Sequence, residues 1–201
     1  EVSKAARQGG ATWLGTALLE EAINLRNAGD KGRILTWLGS PNDKWQECIS
    51  LDIDVSVSSI EIASEVINAS KKVGKPAKVH IKVDTGLGRN GVMPDDLAEL
   101  SKLLEEAKAT GLVEVVAVWT HFALADAPSS PTIKRQLIIL DDCFKYLESR
   151  GFKNLMKHAA NSAATLTSPD AHFDLVRPGI AVYGITPGGE LKSASEYGLR
   201  P

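Results

Sequence analysis

The sequence predicts an α/β protein built from parallel strands, and three observations lead there. Short apolar, β-branched runs alternate with longer amphipathic stretches along all 201 residues. The helical stretches close on glycine, as at Gly29 and Gly74, or open on proline, as at Pro94. At the start, Val2, Ala5, Ala6 and the Gly9-Gly10 stop read as the last turns of a helix that begins upstream of residue 1. Alternation of this kind calls for parallel strands joined by right-handed crossovers. An open doubly wound sheet and a (β/α)8 barrel both satisfy it. Restoring the strand that should precede the first helix brings the count to eight, which favours a TIM-type barrel lacking its first strand.

In order, residues 11–17 read as a strand and 18–28 as a helix stopped by Gly29. Residues 33–38 form the next strand, followed by a weak helical stretch over 41–49. A strand at 52–57 leads into a helix over 59–73 that Gly74 and Pro76 end. Residues 78–83 alternate polar and apolar side chains as a strand does, and run into a glycine-rich loop. The helix over 94–110 has Pro94 in its first turn, with Asp95 and Asp96 at the positive end of its dipole. Residues 113–119 are a strand and 131–148 a helix. A strand at 154–158, a short helix near 166–171 and a strand at 174–176 complete a series of seven strands. The domain expected is residues 1–187, with 188–201 opening a connection to a β domain beyond the chain.

Composition excludes several classes. A net charge of −2 gives no footprint for nucleic acid or an anionic membrane. No apolar run is long enough to span a bilayer, and none opens the chain as a signal peptide. Only Cys48 and Cys143 occur, both inside amphipathic stretches. A disulfide scaffold or a cysteine-based zinc site is therefore not expected, nor any other metal, and a reducing cytoplasm is.

The motif Gly86-Leu87-Gly88-Arg89-Asn90-Gly91 matches the dinucleotide pattern G-x-G-x-x-G after a strand. Its context argues against a nicotinamide site. Val92, Met93 and Pro94 delay the helix, and Trp119-Thr120-His121 stands where the acidic ribose partner belongs. A tight turn that aims Arg89 back over the strand ends is the better reading of the glycines.

The most informative segment is Lys157-His158-Ala159-Ala160-Asn161-Ser162-Ala163-Ala164, with Asp174-Leu175-Val176-Arg177-Pro178-Gly179 close behind. Each is read as an apolar run that ends in hydrogen-bonding groups. Two neighbouring strands could bring these groups to one spot, which suits a phosphorylated ligand. Barrel enzymes carry their catalytic groups at the C-terminal ends of the strands, with a phosphate site after the last two. Successive strand ends here present Lys82 through Thr85 leading to Arg89, then His121, then Asn161-Ser162, then Arg177. Ser162, Gly179 and Ile180 fall where the phosphate would go. Taken singly, His121 is more often a satisfied structural histidine and each arginine more often a surface ion pair. Their recurrence at consecutive strand ends is what points to a site.

These residues resemble alanine racemase, a pyridoxal-phosphate enzyme with an N-terminal barrel and a C-terminal β domain. The likeness runs through GATWLGTALLEEAINLRNAG, HIKVDTGLGRNGV, WTHFALAD, HAANSAATL, FDLVRPGIAVYG and the tail EYGLRP. The resemblance implies that Ser162, Gly179 and Ile180 hold the phosphate of pyridoxal 5'-phosphate, with Asn161 ordering that side. It places Arg177 at the pyridine nitrogen, His158 behind Arg177, His121 against the ring and Arg89 at the phenolic oxygen. Lys82 matches a position that is carbamylated in many relatives and braces Arg89. A plain lysine would set like charges together, whereas carbamylation would make a salt bridge. Tyr183 falls in a matching motif, where a packing role fits equally well.

The residue types suit that chemistry. Arginine only donates and stays protonated, so Arg177 would leave the ring nitrogen an unprotonated acceptor and the ring a restrained electron sink. The resemblance further implies a cytoplasmic homodimer that interconverts L- and D-alanine by two-base proton transfer and supplies D-alanine for peptidoglycan. The family's cofactor-bearing lysine would lie just before residue 1 and the opposing tyrosine beyond residue 201, so this polypeptide alone is expected to be inactive. A non-catalytic pyridoxal-phosphate barrel and a serine or broad-specificity racemase are the competing expectations.

Overall fold

Val55, Val57, Val79 and Ile81 are wholly buried, as residues of parallel strands covered on both faces must be. The computed structural model describes residues 1–200, and among them six strands alternate with seven α-helices. They run α1 (Val2–Gln8), β1 (Trp13–Thr16), α2 (Leu19–Asn27), β2 (Arg33–Thr36), α3 (Trp45–Ser50), β3 (Asp54–Val57) and α4 (Ile60–Val73). Then follow β4 (Ala77–Lys82), α5 (Leu97–Ala109), β5 (Val113–Trp119), α6 (Thr132–Ser149), β6 (Met156–His158) and α7 (Ser162–Thr167). The α/β class is as expected. The chain falls into two compact units, Glu1–Lys82 with Asp96–Val116, and Val83–Asp95 with the chain from Ala117 onward.

In the first unit β1, β2, β3 and β4 lie side by side in chain order. Their parallel register pairs Trp13 with Arg33, Leu35 with Asp54 and Val55 with Val79. Helix α4 shows why such a stretch is helical. Ser59 caps it by accepting from the Ile62 N–H at 3.3 Å, and Gly74 ends it at φ 70°. Between these ends Ile62, Ala63, Val66, Ile67 and Ala69 form the buried stripe. At the starts of β1, β2 and β3, a buried Asp54 accepts from Arg33, and its Oδ2 lies 3.1 Å from His80 Nε2. The Arg33 guanidinium also covers the Trp13 ring at 4.3 Å. Polar clusters at the N-terminal ends of such strands serve stability rather than catalysis.

In the second unit the end of β5 pairs in parallel with β6, Trp119 opposite His158. Helix α6 turns Ile133, Gln136, Leu140, Cys143 and Leu147 inward.

Two sequence expectations need correction here. Residues 174–176 are not a strand. The Asp174 N–H reaches Lys157 O at 3.1 Å and the Arg177 N–H reaches Ala160 O at 2.8 Å, so the segment does run beside β6. But the Asp174 side chain takes the Lys157 N–H at 2.7 Å, Phe173 turns to φ 46°, and Pro178 has no N–H to give. A continuous ladder cannot form, and the strand count is six rather than seven. The short helix expected near 166–171 instead begins at Ser162, and a separate 3-10 turn covers Pro169–Ala171. Pro201, which closes the expected 188–201 connection, lies outside the described residues. No helix among the described residues is long and apolar enough to cross a membrane.

Candidate functional site

The loop after β4 is organised by one carboxylate. Asp84, buried, accepts from the N–H groups of Gly86, Leu87 and Gly88 at 2.8, 2.9 and 3.1 Å through the single oxygen Oδ1. The loop then folds back so that Val92 O receives the Asp84 N–H at 2.9 Å. Gly91 makes this possible, at φ 138° and with no room for a Cβ. The glycines therefore serve a tight turn, as expected, and no helix starts at them to receive a dinucleotide. Arg89 at the tip is exposed.

Arg177 forms the centre of the unit. Its Nη2 donates to Thr120 O at 2.8 Å and to Ala159 O at 3.1 Å, and its Nη1 to His158 Nδ1 at 2.8 Å. A guanidinium cannot accept, so His158 Nδ1 is the acceptor, and the neutral ring carries its proton on Nε2. His158 is fully buried and stacks on Trp119 at 5.4 Å and 14°. The guanidinium lies over the same indole at 4.6 Å. Burial pushes Arg177 down to about 9, which leaves it charged at neutral pH. Of five N–H groups, three are committed to the protein, which leaves two for a ligand acceptor.

Beside it lies a second cluster. Ser162 Oγ accepts from the N–H groups of Gly179 at 2.8 Å and Ala181 at 3.3 Å. Two backbone amides thus converge on one hydroxyl oxygen, and its own O–H is left to donate to an anion. Asn161 caps α7 by accepting from the Ala164 N–H at 3.0 Å, and its side-chain amide stays available as a donor.

The structure therefore joins Arg177 to His158, and Ser162 to Gly179, among the residues read from the sequence. Ile180 lies between the two converging amides, 45% exposed. Tyr183, in the same 3-10 turn, is 55% exposed. Among the described residues no hydrogen bond ties Arg89 or Tyr183 to either cluster. The His121 backbone is held, its carbonyl accepting from Gln136 Nε2 at 3.4 Å. Lys82 ends β4 in the first unit, with a fully buried side chain. Sequence reasoning missed Asp84, Trp119, Thr120 and Ala181. All four stand inside the quoted motifs, but only the fold shows which of their atoms matter.

The family of the alanine racemase N-terminal domain matches residues 1–187. Curated alanine racemases of Frankia casuarinae and Streptomyces coelicolor are each 46% identical over 99% of the chain, which spans 52% of their length. Among solved structures, alanine racemase from the D-cycloserine producer Streptomyces lavendulae matches at a TM-score of 0.97 and 50% identity, over 99% of this chain and 52% of that one. The Corynebacterium glutamicum alanine racemase matches at 0.88 and 32%, over 99% of this chain and 55% of that one. The chain spans about half the length of the relatives it matches.

Proposed function

The chain belongs to the alanine racemase N-terminal domain family, and on that premise we propose that its parent protein interconverts L- and D-alanine using pyridoxal 5'-phosphate. The donor set fits that cofactor. Arg177 keeps N–H groups for an acceptor, as an unprotonated pyridine nitrogen requires, and has none of the carboxylate character that would protonate it. The Ser162 hydroxyl, oriented by the amides of Gly179 and Ala181, would offer its O–H to a phosphate, with Gly179, Ile180 and Asn161 around it. When bound, the cofactor would acidify the Cα–H of an amino acid joined to it.

The residues of this chain bind and orient. Arg177 would hold the ring nitrogen without a proton, so that the sink stays restrained. His158 fixes Arg177 from behind, in the one tautomer that can accept. His121 would lie against the ring, Arg89 at its phenolic oxygen, and Tyr183 at the edge of the pocket. Lys82, wholly buried at the end of β4, would brace Arg89 in the carbamylated form, which avoids setting like charges together. Removal and return of the proton need a base on each face of the Cα. No residue here is assigned either task, so this chain alone should not racemise. The relatives are racemases, which favours this reading over a non-catalytic carrier. A cytoplasmic homodimer that supplies D-alanine to the cell wall completes it.

One observation carries the reading: a half-buried, donor-only Arg177 backed by neutral His158. In the parent protein, Arg177→Glu should protonate the ring nitrogen and cut racemisation on the order of 100-fold. Turnover left unchanged would remove Arg177 from the site.

A further inference from the structure

Gln136 is the polar member of an otherwise apolar stripe on α6, between Ile133 and Leu140, and is 2% exposed. A side-chain amide buried there costs stability unless its hydrogen bonds are made. They are made, and all of them reach toward the candidate site. Its Oε1 accepts from the Ala123 N–H at 2.9 Å. Its Nε2 donates to Thr85 Oγ1 at 3.0 Å and, at 3.4 Å, to His121 O. Thr85 Oγ1 lies 2.8 Å from Thr120 Oγ1, which in turn donates to Val83 O at 2.8 Å. The proton directions follow from that order. Val83 O can only accept, so the Thr120 hydroxyl donates to it; Thr85 must then donate to Thr120, and Gln136 to Thr85.

The relay ends on the residue whose carbonyl receives Arg177 Nη2 at 2.8 Å. With Thr120 pinned through its hydroxyl, its carbonyl is fixed in direction, and Arg177 is aimed from it. The same glutamine clamps the backbone on both sides of Phe122, through His121 and Ala123. We infer that Gln136 is a positioning residue of the cofactor pocket, acting through Thr85 and Thr120 on Arg177 and through the backbone on His121. The inference rests on the function proposed above. An apolar residue would satisfy the helix packing equally well, so packing alone gives no reason for an amide here. A donor at this position is needed only if the strand ends have to be held in register.

The test uses the parent protein, freed of cofactor and titrated with ring-¹⁵N pyridoxal phosphate. Gln136→Leu should weaken binding about tenfold, the equivalent of one or two lost hydrogen bonds. It should also displace the ring-nitrogen ¹⁵N resonance, because the Arg177 donor is no longer held. Thr85→Val should reproduce both effects, while Thr85→Ser, which keeps the hydroxyl, should restore affinity and resonance. If Gln136→Leu does not fold, the Thr85 pair carries the test. A lower melting temperature with affinity and ¹⁵N shift unmoved would make Gln136 a packing residue and overturn the inference. Wild-type protein that takes up no pyridoxal phosphate overturns the functional reading and this inference together. Normal uptake by wild type, lost in Arg177→Glu but intact in Gln136→Leu, overturns the inference alone.

Discussion

Gly91 occupies a backbone conformation of φ 138°, and a Cβ built on it would lie 2.5 Å from the Asp84 nitrogen. Both facts follow from the loop having to return to Val83, beside which Val92 forms its bridge. Gly91→Ala therefore meets strain and a clash with backbone, neither of which a side-chain rotation can relieve. It should cost about 2–4 kcal/mol of stability, measured by urea unfolding. A loss below about 0.5 kcal/mol would show that the loop can open without harm. Asp84 bears on the same turn from the other side. One carboxylate oxygen serves three amides, so its shape is held from the strand end rather than by the glycines alone. At this scale the sequence showed which residue types gather in the loop but not which atoms bond. The glycines of GLGRNG were legible as a turn, whereas the role of Asp84 depends on a carboxylate aimed at backbone that is local only once folded.

Elements with strong end signals were the most legible. For α4, Ser59 and Gly74 bracket the amphipathic stripe, and the helix begins and ends at them. Ser59→Ala removes the acceptor for the Ile62 N–H and should cost about 1 kcal/mol, with Ser59→Asp retaining the cap. Equal stability of the alanine and aspartate variants would show that water replaces the cap at no cost. The strand over 113–119 was legible to the residue, because its apolar, valine-rich run is broken only by the exposed Glu114. The segment 174–176 shows the opposite case. Its composition is that of a strand, but Asp174 spends its side chain on a ladder donor of β6 and Pro178 has none to offer, so extended backbone fails to become a ladder. Residues 161–167 were misread for a related reason. Asn161 was taken only as a ligand-ordering group, although asparagine before Ser-Ala-Ala is equally a helix cap, and the fold uses it as one. Gln136 was legible in principle as a polar break in the stripe of α6, but nothing short of the fold shows what it reaches.

At the scale of the whole chain, each compact unit holds one buried thiol, Cys48 in the first and Cys143 in the second. Burial pushes Cys48 up to about 12 and Cys143 up to about 11, from an ordinary value of 9.0. Only the thiolate attacks a disulfide reagent, so two consequences follow. In native protein at pH 8, peptide mapping after exposure to such a reagent should find both residues unlabelled, reacting about 100-fold or more slowly than in urea. The unfolded chain, by contrast, ionises its thiols from about pH 9, while the folded chain keeps them neutral. At these two groups the unfolded state then binds fewer protons than the native one, and their contribution to stability falls as pH rises above 9. The decline should continue until the native thiols themselves ionise, near 11 for Cys143 and 12 for Cys48. Replacing both by alanine should flatten the dependence of the urea midpoint on pH between 9 and 11, at some loss of packing. Because the two sites lie in different units, labelling across a urea gradient reports each unit separately. Coincident curves would mean that the units open as one, and an early rise at one cysteine would mark the weaker unit. Rapid labelling of either thiol without denaturant would contradict its burial, and with it the packing of α3 or α6 from which that burial follows.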